Sequence, residues 1–242
     1  MAQSKQVALC VTCLVDQVLP EVGVATVQLL RRAGYTVDFP PAQTCCGQPF
    51  FNSGFRAEAI NLAKRTVKIF EEYEAVVLPS GSCTAMIRME YPHLLEPWTQ
   101  WHRRAEKLAS KTYELTEFLT HQAHWEPPPV SAALNVTYHD SCHLCRMLHL
   151  RQEPRQLLER AGCRVCEMTE SDRCCGFGGL FSVRMPEISN AMTAEKLRQA
   201  ADTTADVLVT ADPGCLMQMR GLVGQNSLRL EHIAIVLEEI TR

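Results

Sequence analysis

Two short stretches decide how this chain is read: Thr44-Cys45-Cys46-Gly47-Gln48 and Arg173-Cys174-Cys175-Gly176-Phe177. A vicinal cysteine pair followed by glycine is uncommon once, and here it is written twice. The words around each pair recur in the same order. VALCVTC, GYTVDFPPAQTCCG, AVVLPSGSC and LTEFL are matched later by NVTYHDSC, GCRVCEMTESDRCCG, DVLVTADPGC and LEHIAIVL. Cys13 and Cys45 enclose 31 residues, as do Cys142 and Cys174, while Cys46 and Cys83 enclose 36 and Cys175 and Cys215 enclose 39. Four matched segments in order argue for a duplicated unit. Between the copies lies HQAHWEPPPVSAALN, residues 121–135, whose Pro127–Pro129 stop any helix and favour an extended linker. The expected lobes are therefore 1–127 and 128–242.

Each copy alternates strand and helix. Val7–Cys13, Tyr35–Phe39 and Ala75–Pro79 are short apolar or β-branched runs, expected to be buried strands. Val136–His139, Arg164–Glu167 and Val207–Thr210 take those places in the second copy. Ile60, Ala63, Val67 and Phe70 recur at helical spacing and read as a helix packed on a sheet. The expected fold class is α/β: two duplicated, pseudo-symmetric, Rossmann-like lobes facing each other, each with a small parallel sheet. Ligands of such sheets gather at the carboxyl ends of the strands. Cys13 is expected to end the first strand, with Cys45 and Cys46 in the loop after the second and Cys83 after the third. Cys142, Cys174, Cys175 and Cys215 repeat the arrangement. Gly47 and Gly176 would let the backbone bend tightly beside a bulky bound group, and so belong to the expected cofactor site.

Composition narrows the chemistry. A chain of 242 residues, 46% of them hydrophobic, buries a core without crosslinks, so its 12 cysteines ask for another reason. No secretory signal pattern is read at the start, and no apolar run reaches 18 residues. The expectation is a cytoplasmic protein whose cysteines serve metal or redox chemistry. A net charge of −3 with no long basic run gives no reason to expect nucleic acid. Gly176-Phe177-Gly178-Gly179 lacks a complete phosphate-binding glycine pattern and follows cysteines rather than a strand, so no nucleotide or flavin is expected. Adjacent thiolates suit a cluster of several metal atoms, where each sulfur meets a different iron, better than one tetrahedral zinc. Zinc, or plain buried thiols, are the alternatives.

The spacing Cys, about thirty residues, Cys-Cys-Gly, about thirty-five, Cys resembles the cysteine-rich CCG domain. That domain occurs in one of the subunits of heterodisulfide reductase and in the iron–sulfur subunit of glycolate oxidase. CCGQPFFNSG, GSCTAMI, CCGFGGLFSV and HIAIVL are similar, along nearly the whole chain, to stand-alone family members with two such domains that serve lactate utilization. The resemblance implies an iron–sulfur redox subunit in a system that oxidises L-lactate to pyruvate. It implies one cluster per lobe, expected to be [4Fe–4S]. It also implies partner subunits, one of them a ferredoxin-like iron–sulfur protein, with lactate met directly or through them. In heterodisulfide reductase the motif closes with Cys-x-x-Cys, giving five ligands. Here Met86 and Gln218 stand at the fifth position, so five-cysteine ligation does not carry over. A zinc-binding or metal-free scaffold, and a thiol–disulfide oxidoreductase using the vicinal pairs, are the rival functions.

Cys10, Cys145, Cys163 and Cys166 fall outside the two sets. They create C-x-x-C spacings but are read as buried apolar fill. His139-Asp140-Ser141-Cys142-His143 brings two imidazoles beside an expected ligand. His139 and His143 are the candidate catalytic residues: they would donate to a cluster sulfur, ligate it, or move a proton. The plain alternative is a polar strand end. His232, set among Ile233, Ile235, Val236 and Leu237, is read as a packed helix histidine.

Overall fold

The computed structural model describes residues 5–128, 134–224 and 228–242; linker residues 129–133, including Pro129, lie outside the described residues. The chain divides into two compact units, Met1–Ala123 and His124–Arg242.

In the first unit β1 (Lys5–Leu9) leads through α1 (Cys13–Val18) and α2 (Pro20–Arg32) to β2 (Tyr35–Asp38). Next come α3 (Gln48–Asn52), α4 (Arg56–Phe70), β3 (Val76–Leu78) and α5 (Gly81–Ala85). A π-helical turn over Met86–Glu90 joins α5 to α6 (Tyr91–Leu94). The unit closes with α7 (Gln100–Ala109), β4 (Thr112–Glu114), α8 (Leu115–Glu117) and a π-helical turn over Phe118–Gln122. The strands are all parallel, in the order β2-β1-β3-β4. Ala8 pairs with Asp38 on one side and Val76 on the other, and Leu78 pairs with Glu114. β3 is wholly buried and has no polar face, as expected of a parallel strand covered on both sides. The stripe read from the sequence lies on α4, where Ala59, Ala63, Val67 and Phe70 are buried and Ile60 packs partly against them.

The second unit repeats the order. It holds β5 (Asn135–His139), a π-helical turn over His143–Met147, α9 (Gln152–Arg160) and β6 (Arg164–Val165). α10 (Leu180–Arg184), α11 (Pro186–Ala201), β7 (Val207–Thr210), α12 (Pro213–Leu222), β8 (Arg229–His232) and α13 (Ile233–Ile240) complete it. Its sheet is again all parallel, in the order β6-β5-β7-β8, with His139 opposite Thr210 and Thr210 opposite His232.

Several expectations are corrected. The first strand stops at Leu9, and Cys13 opens a helix instead of ending a strand. Cys166 lies just past β6 rather than inside a strand. Each sheet has a fourth strand, β4 or β8, that the sequence reading lacked. Both are short and polar, TYE and RLEH, so neither shows an apolar run. His232 consequently ends a strand, and its Nδ1 caps α13 by accepting from the Ala234 N–H at 3.2 Å.

Glu114 plays the matching part in the first unit. Its carboxylate accepts the Thr116 N–H at 2.7 Å and the Thr116 hydroxyl, while Glu117 answers by accepting the Glu114 N–H at 3.3 Å. Glu114 is fully buried, and among the described residues its Oε1 has no hydrogen-bond partner. Burial pushes its pKa up to about 8, so the folded protein holds a proton there that the unfolded chain releases near pH 4.5. Because the folded state binds the extra proton across that window, this group costs stability as pH rises from about 4.5 to 8. Glu114→Gln should remove that slope, a difference on the order of 5 kcal/mol between the ends of the window. Urea unfolding of both proteins at several pH values reads it, and parallel pH profiles would refute it.

Candidate metal centres

The connections after the first three strands of each sheet leave at the strands' carboxyl ends, and the eight expected cysteines lie on them. The chain turns back over β1 between β2 and β3, and over β5 between β6 and β7, which makes those points the switch points of the two sheets. In the first unit Thr12 turns the chain with φ 72°, a conformation that costs a β-branched residue, and delivers Cys13 to the first position of α1. Cys83 stands at the third position of α5, whose start is capped by Ser80 Oγ accepting the Cys83 N–H at 3.3 Å. Cys215 stands at the same position of α12, capped by Asp212, which accepts the Gly214 N–H at 3.0 Å.

The sulfurs converge. Cys13 Sγ lies 3.6 Å from Cys45 Sγ, and Cys46 Sγ lies 3.3 Å from Cys83 Sγ. In the second unit Cys142 and Cys174 share a thiol hydrogen bond, as do Cys175 and Cys215, in the same pairing. Each vicinal pair thus spends its two sulfurs on different partners. No cysteine is in a disulfide. Cys13, Cys45, Cys142 and Cys174 are half-buried, whereas Cys46, Cys83, Cys175 and Cys215 are buried. Each group has an open side and a closed side.

Crowding splits the acidities. Cys45 is drawn down to about 3 by the Cys13 thiol, with help from Cys46 and from the Gly47 N–H, which donates to Cys45 Sγ at 3.4 Å. Cys174 is drawn down to about 2 by Cys142, Cys175 and the Gly176 N–H, also at 3.4 Å. Their neighbours Cys13, Cys46, Cys142 and Cys175 are pushed up, first by those same hydrogen bonds and then by burial. A set of thiols that holds one thiolate and strains against the next is a set suited to a cation.

The two Cys-Cys-Gly turns are anchored from behind. Tyr91 Oη donates to the Cys46 carbonyl at 2.6 Å, and Thr193 Oγ1 donates to the Cys175 carbonyl at 2.7 Å. Gly47 and Gly176 both have φ 90°. A Cβ on Gly47 would meet Leu62 Cβ at 3.3 Å, and one on Gly176 would lie 2.4 Å from the Ser189 carbonyl oxygen. The absent side chains make room for α4 and α11 as well as for the bend. The fifth-position residues look elsewhere. Met86 packs in the core, and Gln218 Nε2 donates to Ser189 Oγ at 3.1 Å and Thr193 Oγ1 at 3.0 Å.

His139 is enclosed, 0% exposed. Its ring, Cys175 Sγ and Cys215 Sγ lie within 4.8 Å of one another. Burial, and then the Lys196 charge, push its acidity down to about 3, so the imidazole is neutral at pH 7. His143 is half-buried one residue past Cys142. Cys145 and Cys163 are buried and Cys166 is half-buried, while Cys10 is buried where the charges of Cys83 and Cys45 act on it. The sequence reading had set Cys10 aside, although its spacing to Cys13 equals that of His139 to Cys142.

Two further groups were missed. Arg155 grips Asp140 through two bonds of 2.9 Å and also pairs with Glu167, fixing the strand end beside His139. Lys196 is buried and donates to the Glu170 and Ser171 carbonyls at 2.5 and 3.2 Å, pinning the loop that leads into Cys174. A lysine in the middle of a helix reads as solvated from sequence alone, so no pattern marked it.

The cysteine-rich CCG domain model matches residues 7–88 and again 136–220. Lactate utilization protein A of Bacillus subtilis (strain 168) is 46% identical over 235 residues, covering 96% of this chain and 98% of that protein. The chain belongs to the family of lactate utilization protein A, built on two cysteine-rich CCG domains. Lactate utilization protein A of Halalkalibacterium halodurans is 44% identical over 240 residues, 98% of each chain. The crystal structure of a hypothetical protein from Helicobacter pylori matches with a TM-score of 0.67 at 8% identity, over 99% of this chain and 49% of that one. That likeness is one of fold alone.

The glycines give a graded expectation. Gly47→Ala should cost about 1–2 kcal/mol for its left-handed backbone. Gly176→Ala should cost clearly more, because α11 must also move from the new methyl. Denaturant unfolding of the two variants checks the order, and equal losses would contradict it.

Proposed function

We propose that this chain is an iron–sulfur redox subunit of a cytoplasmic lactate-oxidising system. Cys13, Cys45, Cys46 and Cys83 would hold one centre, and Cys142, Cys174, Cys175 and Cys215 the other. The observation that carries this reading is that four sulfurs from three separated segments meet in the same pairing in both lobes. The name of the relatives, lactate utilization protein A, supports the pathway. No described helix is long and apolar enough to cross a membrane.

The residues fit a thiophilic, multi-metal group: all donors are sulfur, and the thiols crowd each other unless a cation is shared. An iron–sulfur cluster, [4Fe–4S] by donor count, supplies one-electron transfer when bound. Turning lactate to pyruvate releases two electrons and two protons, so two one-electron centres match it in number. The chain's own part is to hold the thiolates, close one side of each centre and leave the other open. The half-buried Cys13, Cys45, Cys142 and Cys174 would face the partner subunits, a ferredoxin-like protein among them. His143, half-buried one residue past Cys142, would be the residue that moves a proton. His139 is enclosed, and we assign it no proton transfer. Zinc in the second lobe is the alternative that one observation favours, the close set of His139, Cys175 and Cys215.

Protein purified without oxygen from iron-replete cells should be brown and contain iron and acid-labile sulfide in equal amounts. The double change Cys45→Ser with Cys46→Ser, and likewise Cys174→Ser with Cys175→Ser, should each remove about half the iron. Stoichiometric zinc, or no metal in such a preparation, would replace this reading with the scaffold. Reversible two-electron titration without metal would replace it with dithiol chemistry.

A further inference from the structure

We propose that the second-lobe centre is a mixed thiolate–imidazole site in which His139 is a direct nitrogen donor beside Cys175 and Cys215. This rests on the second lobe holding a metal.

Three observations carry it. His139 is fully enclosed, and among the described residues neither ring nitrogen makes a hydrogen bond of normal geometry. Buried imidazoles without partners are costly, and a packing histidine avoids this by bonding to something. Second, the ring lies with the two buried sulfurs inside a 4.8 Å set, on the closed side of the centre. Third, its position is rigid. It ends β5 in the interior of the sheet, opposite Thr210, and the next residue, Asp140, is clamped by Arg155 and donates its N–H to the Ser171 carbonyl at 3.0 Å. Gln218, which stands where a fifth cysteine ligand would, is held to α11 by its Nε2.

The corresponding position of the first lobe is Cys10, buried beside Cys46 and Cys83 in one core cluster. The lobes therefore differ in the donor nearest their closed side: a neutral imidazole in one, a thiol in the other. A neutral donor in place of a thiolate raises the reduction potential of a centre.

The test uses the full chain with Cys45→Ser and Cys46→Ser, so that metal signals come from the second lobe. Iron, sulfide and zinc are measured first on the same sample. With iron present, pulsed electron paramagnetic resonance of protein carrying 15N-histidine, in whichever redox state is paramagnetic, should show the strong nitrogen coupling of a bound imidazole. His139→Cys keeps a donor of compatible size. It should retain the metal, abolish the coupling and shift the potential downward. With zinc present instead, the cluster reading fails while this one survives if X-ray absorption shows an imidazole shell that His139→Cys removes. A coupling too weak for a direct bond, a coupling that persists in His139→Cys, or a second lobe that takes up neither metal would overturn the proposal.

Discussion

Each centre depends on one constraint of parallel sheets: the chain must cross back over its first strand to lay down the third. With strand order β2-β1-β3-β4, and β6-β5-β7-β8 in the copy, the connections after the first three strands leave at one end of the sheet. The cysteines sit on those connections, at a helix start, at a glycine turn and in a helix's first turn. Their sulfurs meet at 3.6 and 3.3 Å in the first lobe because the sheet brings the connections together, not because any segment contains a site by itself.

That geometry has an energetic consequence. Thiols this close cannot ionise independently, so one sulfur of each set becomes a thiolate and its neighbours resist. The backbone is arranged to tolerate it: the Gly47 and Gly176 amides point at the ionised sulfur, and helix first turns lie under Cys83 and Cys215. On the far side of each turn, a hydroxyl from a helix holds the carbonyl of the second cysteine. The arrangement is thus built to receive positive charge.

Duplication then allowed the two lobes to diverge around a common frame. The carbonyl anchor is Tyr91 in one and Thr193 in the other. The helix cap at the end of the fourth strand is Glu114 in one and His232 in the other. The second lobe alone buries Lys196 against the loop before its cysteine pair. These groups keep the backbone in place, and of them Lys196 also brings a charge that acts on Cys215.

Much of this was legible in the chain of letters. The repeated Cys-Cys-Gly, its matched spacings and the apolar runs determined the duplication, the α/β class and the eight cysteines on the connections that follow the strands. These are properties of local pattern and count, and pattern survives in one dimension. The fourth strands were not legible, because TYE and RLEH are too short and polar to stand out. Nor was the enclosure of His139, which looked from its neighbours like a polar strand end. Cys10 read as fill, and nothing in the pattern marked Lys196, for the same reason. Which side chains share a space, and which polar groups are left without partners, is decided by elements far apart in the chain, so only the tertiary structure could decide it.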